Sequence, residues 1–432
     1  MAMELPAVSA IMARLANPKI SLAAYGGVVF PLSMIVEAPI IMLLASSTAL
    51  SKDWRSYLLL RRFMLRAGAA LTALHLLVAL TPLYHVVVGN LIHAPEEIRE
   101  PARIGLIIMT PWTWSIAYRR LNQGVLIRFG RSRLVGIGTA VRLSGNVTVL
   151  AVGYWIGSIP GIVVGSLAVA VGVFSEALFV GLMVRPVLKH QLRAAPPVDP
   201  PLTFRRFAHF YVPLAMTPLI ALLTGPIGSA GVSRMPRALD SLAVWPVVNG
   251  LMFALRSVGI ALNEVIVALL DEPRAITALR RFAVTLGATT FFLLLAIAAS
   301  PLAGIYFGRV SALAPSLVDL ARHGIWIVLL MPALAVVQSW YQGIILHSRR
   351  TRAITEGVVV YLVTSSAILV LGIWHGRTTG LFVALAAAAI ASLVQMLWLR
   401  TRSRDTVREL QRGLTLAPVP AEVALEGSEQ SG

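Results

Sequence analysis

Of 432 residues, 57% are hydrophobic and only 13% are charged, and the mean hydropathy is +0.79. So little charge cannot cover the surface of a water-soluble chain of this length, which excludes a soluble globular fold. Cysteine is absent, excluding disulfides and cysteine-based metal or redox chemistry, while the net charge of +18 makes nucleic acid a partner to be weighed against the placement of the arginines.

Apolar runs long enough to cross a bilayer, about 20 residues each, must be helical because lipid offers the backbone no hydrogen-bond partners. They predict spans at 22–47, 65–91, 104–126, 135–156 and 161–184. No cleavable signal peptide is expected, since the apolar character continues past the first run. A polar connector follows, with Pro196, Pro197, Pro200 and Pro201. Six more spans are predicted at 207–231, 241–270, 283–307, 324–346, 355–374 and 379–399. The chain then reads as a transmembrane bundle over 1–190, a cytoplasmic linker over 191–206, a second bundle over 207–401 and a disordered cytoplasmic tail over 402–432.

The arginines occupy alternate loops. Lys52, Arg55, Arg61 and Arg62 form one set, and Arg119, Arg120, Arg128, Arg131 and Arg133 form the next. Arg185, Lys189 and Arg193, then Arg280 and Arg281, then Arg349, Arg350 and Arg352 continue the series, and Arg400, Arg402 and Arg404 close it. The intervening loops are acidic or nearly neutral, as at Glu96, Glu97 and Glu100 or from Gly157 to Gly161. The positive-inside rule accounts for this alternation, so the partner is the lipid bilayer and not nucleic acid. It places the C-terminus in the cytoplasm of a multi-pass protein, read as one of the bacterial inner membrane.

The two halves repeat. A shift of 220 superposes Pro6 on Pro226, Arg14 on Arg234 and Ser21-Leu22-Ala23 on Ser241-Leu242-Ala243. After a slip of one residue, a shift of 219 superposes Leu60-Arg61-Arg62-Phe63 on Leu279-Arg280-Arg281-Phe282, Gln123-Gly124 on Gln342-Gly343, and Glu176 on Gln395. The fold expected is an all-α polytopic membrane protein of two parallel six-helix repeats, with about 11–12 transmembrane helices. The counterpart of 207–224 is largely missing ahead of Pro6, which is read as a start placed too far downstream or a truncation.

Polar residues inside spans are costly and mark candidate sites. Asn249, Arg256 and Asn263 recur every seven residues and share one helix face, with Glu264 beside it. Thr139, Arg142 and Asn146 form a second polar face, although Arg142 could also snorkel to the cytoplasm. Glu37 lies one residue from the counterpart of Arg256 at a shift of 220, so a Glu37–Arg256 pair across the halves is a candidate gate. The expected substrate-binding or gating set is therefore Glu37, Arg142, Asn146, Asn249, Arg256, Asn263 and Glu264. Arginine suits carboxylate and phosphate oxygens, which points to an anion. Glu176 is read as a hydrogen-bonding group between helices.

The two six-helix halves, the basic connector and the loop pattern resemble the multidrug/oligosaccharidyl-lipid/polysaccharide (MOP) flippase superfamily and its MATE-like members. Within it, Leu22-Ala23-Ala24-Tyr25-Gly26 and the stretch from His75 to Ala140 resemble the progressive ankylosis (ANKH-type) transporters. That stretch includes Asn90-Leu91-Ile92-His93 and Gly130-Arg131-Ser132-Arg133. The resemblance covers most of the chain. It implies alternating-access export from a cavity between two bundles, driven by a gradient of H+ or Na+. For the ANKH-type branch it implies small multivalent anions such as citrate, nucleotide or pyrophosphate. Other branches flip lipid-linked saccharides or expel cationic drugs. Toxin-extrusion relatives often couple ion flow through an acidic residue of their first or seventh helix; here 207–231 carries no Asp or Glu and the first helix is mostly missing.

No enzyme constellation is present. The eight histidines are scattered without HExxH spacing, and no Walker-type GxxxxGK occurs. No catalytic residue, metal site or cofactor is expected, and a monomer is. The rival class, a membrane-embedded acyl or glycosyl transferase, would need a His/Asp cluster on one membrane face.

Overall fold

The computed structural model describes residues 4–270, 275–348 and 352–416. Regular structure among them is helical, with one isolated bridge joining Ala16 and Pro160. The first half opens with α1 (Glu4–Met12) and continues as a bent rod of α2 (Pro18–Ala24), a π-helical turn Tyr25–Val29, α3 (Phe30–Glu37) and α4 (Leu43–Leu50). Then come α5 (Trp54–Leu80), a π-turn His85–Leu91, α6 (Glu96–Arg128), α7 (Ser132–Ile156) and α8 (Gly161–Val187). The second half holds α9 (Phe204–Leu222), α10 (Thr224–Ser233), α11 (Ala238–Leu269) and α12 (Ala275–Ala299). It ends with α13 (Leu302–Gly304), a π-turn Ile305–Val310, α14 (Pro315–Ile327), α15 (Met331–His347), α16 (Arg352–His375) and α17 (Gly380–Leu416).

Among the described residues, nine helical rods are long and apolar enough to cross a membrane, or ten if α14 and α15, bent by 41°, form one span. The 33-residue α6 is about 50 Å long at 1.5 Å per residue, but Glu96, Glu97, Arg99, Glu100 and Arg103 make its start polar. Each of the eleven predicted spans thus has a helix, with some ends displaced. The span expected at 65–91 starts at Trp54, because the Asp53 side chain accepts the Ser56 amide and caps the helix there. Arg55, Arg61 and Arg62 therefore lie on the first turns of α5 and not in a loop. That helix stops at Leu80, before Thr81-Pro82, and the apolar residues beyond it form the separate π-turn His85–Leu91. The span expected at 283–307 is displaced in the same direction, to Ala275–Ala299.

The repeat is repeated in backbone geometry. Left-handed residues stand at matched positions: Asn17 and Arg237, His93 and Ala312, Gly157 and Gly376. The Gly161 amide donates to Ala16 O at 3.5 Å, and its counterpart Gly380 donates to Pro236 O at 3.1 Å. The slip from 220 to 219 has a local cause. The π-turn Tyr25–Val29 inserts one residue into the first half, where the corresponding stretch of α11 runs on as regular α-helix. Beyond that turn the shift is 219, so Glu37 and Arg256 are equivalent and not one residue apart.

The halves meet where α1, α2 and the π-turn Tyr25–Val29 pack on α11 and where α3 packs on α10. Pro6 of α1 packs on Gly250 of α11, where an added Cβ would lie 3.2 Å from the ring, and Pro31 of α3 packs in turn on Gly225 of α10, at 3.3 Å. Pro31 is the counterpart of Gly250, and Gly225 precedes Pro226, the counterpart of Pro6, so the two contacts are related to within one residue, as an approximate two-fold axis between parallel repeats requires.

The connector between the halves is held at the basic face. Asp53 accepts the Ser56 amide at 2.8 Å and the Val198 amide at 3.0 Å, and Arg193 lies over the Trp54 ring at 4.5 Å. Burial would raise the Asp53 carboxyl, but these hydrogen bonds and Arg55 outweigh it and hold the group below the usual carboxylate range. Its contribution is thus fully present above about pH 4, the unfolded value, and fades only as pH falls through the lowered folded value. Hydrogen exchange should show Val198 protected throughout pH 5 to 8. Protection should be lost in Asp53→Ala, with about 1 kcal/mol of helix-cap stability.

The polar tail expected from 402 begins later. Helix α17 runs on to Leu416, because Arg402 pairs with Glu356 at 2.9 Å and Ser403 and Thr406 are buried. Residues 417–432 lie outside the described residues.

Candidate functional site

A cavity of about 280 Å³ opens between the halves. From the first half it is lined by Tyr25, Phe30, Pro31 and Met34, and from the second by Trp245, Asn249, Arg256, Tyr361 and Ser365, among others. The proline-bearing rod of α2 to α4 and the long α11 bring these residues face to face. Among the described residues, Arg256 is the only charged one in the lining, which includes no Asp or Glu. Its Nε is buried without a hydrogen-bond partner, and its electrostatic neighbour is the Tyr361 phenol. A guanidinium taken out of water without a counter-charge is unfavourable until an anion supplies one.

The equivalent place in the first half is closed by charge pairs. Arg142 grips Glu4 with its planar fork, Nε to Oε1 at 3.2 Å and Nη2 to Oε2 at 2.6 Å. Asn146 Nδ2 donates to the same carboxylate at 3.4 Å. Behind it, Arg119 Nη1 donates to Glu176 Oε2 at 2.6 Å and Gln123 Nε2 to Glu176 Oε1 at 2.9 Å, with all three side chains buried. Arg142 Nη1 stands 3.9 Å from Glu176 Oε2, linking the two sets. Glu37 is buried and lies within electrostatic reach of Arg120, Arg119 and Arg142. Glu4 and Glu176 are thereby ion-paired, with Arg142 and Arg119, while Glu37 and Arg120 add one charge of each sign without an ion pair among the described residues.

The repeat relates the two places. Glu4, Glu37, Arg142 and Asn146 superpose on Thr224, Arg256, Tyr361 and Ser365. All four of the second set line the cavity, and none of the first set does. One architectural position therefore holds an internally neutral cluster in the first half and an open, positively charged wall in the second. A similar contrast holds one layer deeper. The Arg119–Glu176 ion pair superposes on Gln338 and Gln395, whose amides interact at 3.4 Å, while Gln338 also donates to Ser392 O at 2.8 Å.

The predicted residues divide accordingly. Asn249 and Arg256 line the cavity. Asn263 is half-buried further along α11, outside the lining, with Oδ1 lacking a partner among the described residues. Glu264 is exposed and also lies outside the cavity, because the residue next to a helix stripe points about 100° away from it. Arg142 does not snorkel; it and Asn146 are drawn inward by Glu4. The Glu37–Arg256 gate is not formed, since Glu37 faces the arginines of its own half and Arg256 faces Tyr361. Glu176 does join helices, as the acceptor between α6 and α8.

Three residues were missed in the sequence. Glu4 stands in the short α1, ahead of any apolar run, so its pairing with Arg142 across 138 positions left no local signal. It is an acidic residue of the first helix, the feature expected to be missing. Arg119 and Arg120 looked like members of a basic loop, yet α6 continues past them and buries Arg119 completely. Their repeat counterparts, Gln338 and Ser339, are not basic and could have flagged them.

No protein-family profile and no curated protein sequence matches the chain. Solved structures do. The lipid II flippase MurJ in an inward closed conformation matches with a TM-score of 0.71 at 13% identity, over 97% of this chain and 92% of that one. A multidrug resistance MATE transporter of the MOP superfamily, in an inward-facing conformation, matches with a TM-score of 0.66 at 15% identity, over 94% of this chain and 96% of its own. An outward-facing MATE structure matches less closely, with a TM-score of 0.52 at 15% identity, over 94% and 93%. At these identities what the chain shares with them is the architecture, and it has the all-α, polytopic fold of MOP-superfamily transporters.

Proposed function

We propose that the chain is an alternating-access exporter of a small organic anion, moving it from the basic, cytoplasmic face of a bacterial inner membrane to the acidic face. The observation that carries this reading is Arg256, which has no ion pair among the described residues and stands in the wall of a cavity between the two halves whose described lining has no Asp or Glu. Tyr25, Phe30, Trp245 and Tyr361 give the same cavity an aromatic lining, suited to the apolar part of a carboxylate or phosphate metabolite. The finer resemblance to ANKH-type transporters supports the same substrate class. The Glu4–Arg142 pair supports coupling to H+ or Na+, because it places a carboxylate of the first helix at the edge of the interface between halves.

A flippase for a lipid-linked diphosphate precursor is the second reading. It is favoured by the basic cavity and by the likeness to a protein named as a lipid II flippase. The volume of about 280 Å³ favours the smaller cargo, since pockets for drug-sized ligands start at roughly 300 Å³.

Counterflow into proteoliposomes separates the readings. Labelled citrate, pyrophosphate and a nucleotide should exchange, with dependence on an imposed pH or Na+ gradient. A cationic dye should not. Exchange of the dye alone, or of a lipid-linked diphosphate alone, would replace the first reading.

A further inference from the structure

The halves also touch at the acidic face, through contacts that neither the cavity nor the buried cluster uses. Arg14, just past α1, donates Nη1 to Val310 O at 2.8 Å and Nη2 to Arg309 O at 2.5 Å. Its Nη1 also reaches Ala10 O of its own helix at 2.6 Å. Arg234, just past α10, donates Nη1 to Ile92 O at 3.2 Å and Nη2 to Leu91 O at 2.9 Å and Asn90 O at 3.2 Å. Its Nη1 reaches Ala230 O at 2.7 Å. All of these partners except Ile92 are matched by the repeat: Ala10 with Ala230, Asn90 with Arg309, Leu91 with Val310. Each arginine of one half holds the same turn of the other.

The turn is built to be held. It is the π-turn His85–Leu91 in one half and Ile305–Val310 in the other. Both are closed by the same wide hydrogen bonds, Ile92 N to Val87 O and Ser311 N to Tyr306 O, and both are followed by a left-handed residue, His93 or Ala312. The chain then turns away, and the last carbonyls of the turn are left without helical donors at the negative end of the local dipole. A guanidinium satisfies two of them at once with its fixed fork. One charged contact joins the same face, Lys19 to Asp240 at 2.5 Å, with Asp240 also accepting Arg237 Nε at 2.9 Å.

We propose that Arg14 and Arg234 are twin latches that hold the acidic face shut, and that opening of this face requires both to release. The inference rests on the transport reading for its purpose, but not for its test. Release exchanges protein carbonyls for water around both guanidinium groups, so the two latches contribute alike and together. The likeness to inward conformations agrees with a latched acidic face, the outward-facing structure giving the lower TM-score of 0.52.

The chain has no cysteine, so two introduced ones report alone. Ser158 and Arg377 are matched, exposed loop positions on this face, one per half. Spin labels on Ser158→Cys and Arg377→Cys should give one dominant short distance. Adding Arg14→Gln and Arg234→Gln should move the weight to longer distances, with the closed-to-open ratio falling at least about tenfold. Each single change should give a partial and similar shift. Arg14→Lys with Arg234→Lys, which keeps the charge and loses the fork, should fall between and serves if the glutamine pair does not fold. A distance distribution unchanged in a monodisperse, helical double variant of either kind would overturn the latches. A shift in distance without any anion flux would leave the latches standing and remove the transport reading instead.

Discussion

Arg256→Ala should lower flux of an anionic substrate by about 30-fold or more, while the protein remains folded and monodisperse. The magnitude follows from losing a charge-assisted contact in a desolvated pocket, worth about 2–5 kcal/mol when one partner is truncated. Folding should survive because the guanidinium makes no ion pair among the described residues and its Nε is already unpartnered. Removing it takes away a buried charge without orphaning another. Arg256→Lys should retain partial flux, since an ammonium keeps the charge but not the planar fork. Proteoliposome counterflow with the labelled anion reads all three proteins, and gel filtration with thermal unfolding checks their folding. Wild-type flux in Arg256→Ala would remove this residue from the site.

Glu176→Ala should behave in the opposite way, with a large loss of stability. Its carboxylate is fully buried, accepts from Arg119 at 2.6 Å and Gln123 at 2.9 Å, and lies 3.9 Å from Arg142. Truncation strands the Arg119 guanidinium, which is only 1% exposed, and breaking a buried pair on one side costs roughly 3–5 kcal/mol. The second half shows the neutral alternative, because Gln338 and Gln395 stand where Arg119 and Glu176 do. Arg119→Gln with Glu176→Gln should therefore cost far less than either charge removed alone. A double-mutant cycle of unfolding free energies in detergent should return a coupling of about 2 kcal/mol or more between the two positions. Additive single effects would mean that the ion pair is incidental.

The cavity was partly legible in the sequence for a physical reason. Arg256 and Asn249 stand out because a charge and an amide seven residues apart on an apolar helix are costly facing lipid. What they face could not be read there. The expected partner Glu37 is the repeat counterpart of Arg256, and counterparts related by a two-fold axis meet only if they lie near that axis. Here they do not meet: Glu37 is within reach of Arg120, Arg119 and Arg142, and Arg256 faces the cavity beside Tyr361. The latches escaped notice for another reason: Arg14 and Arg234 were already aligned in the repeat, but their acceptors are backbone carbonyls, which carry no residue signature.

By itself the sequence determined the membrane class, the helical content, the division into two parallel repeats and the alternation of basic and acidic faces. These follow from composition and from periodic patterns read along the chain, because lipid leaves a backbone little choice but helix. Only the tertiary structure decided that one architectural position is filled by ion pairs in the first half and left open around Arg256 in the second. That difference depends on Glu4 meeting Arg142 across 138 positions and on one extra residue in the π-turn Tyr25–Val29 that resets the register of everything after it. Contacts between distant helices are set by packing, and packing leaves no local trace in the sequence.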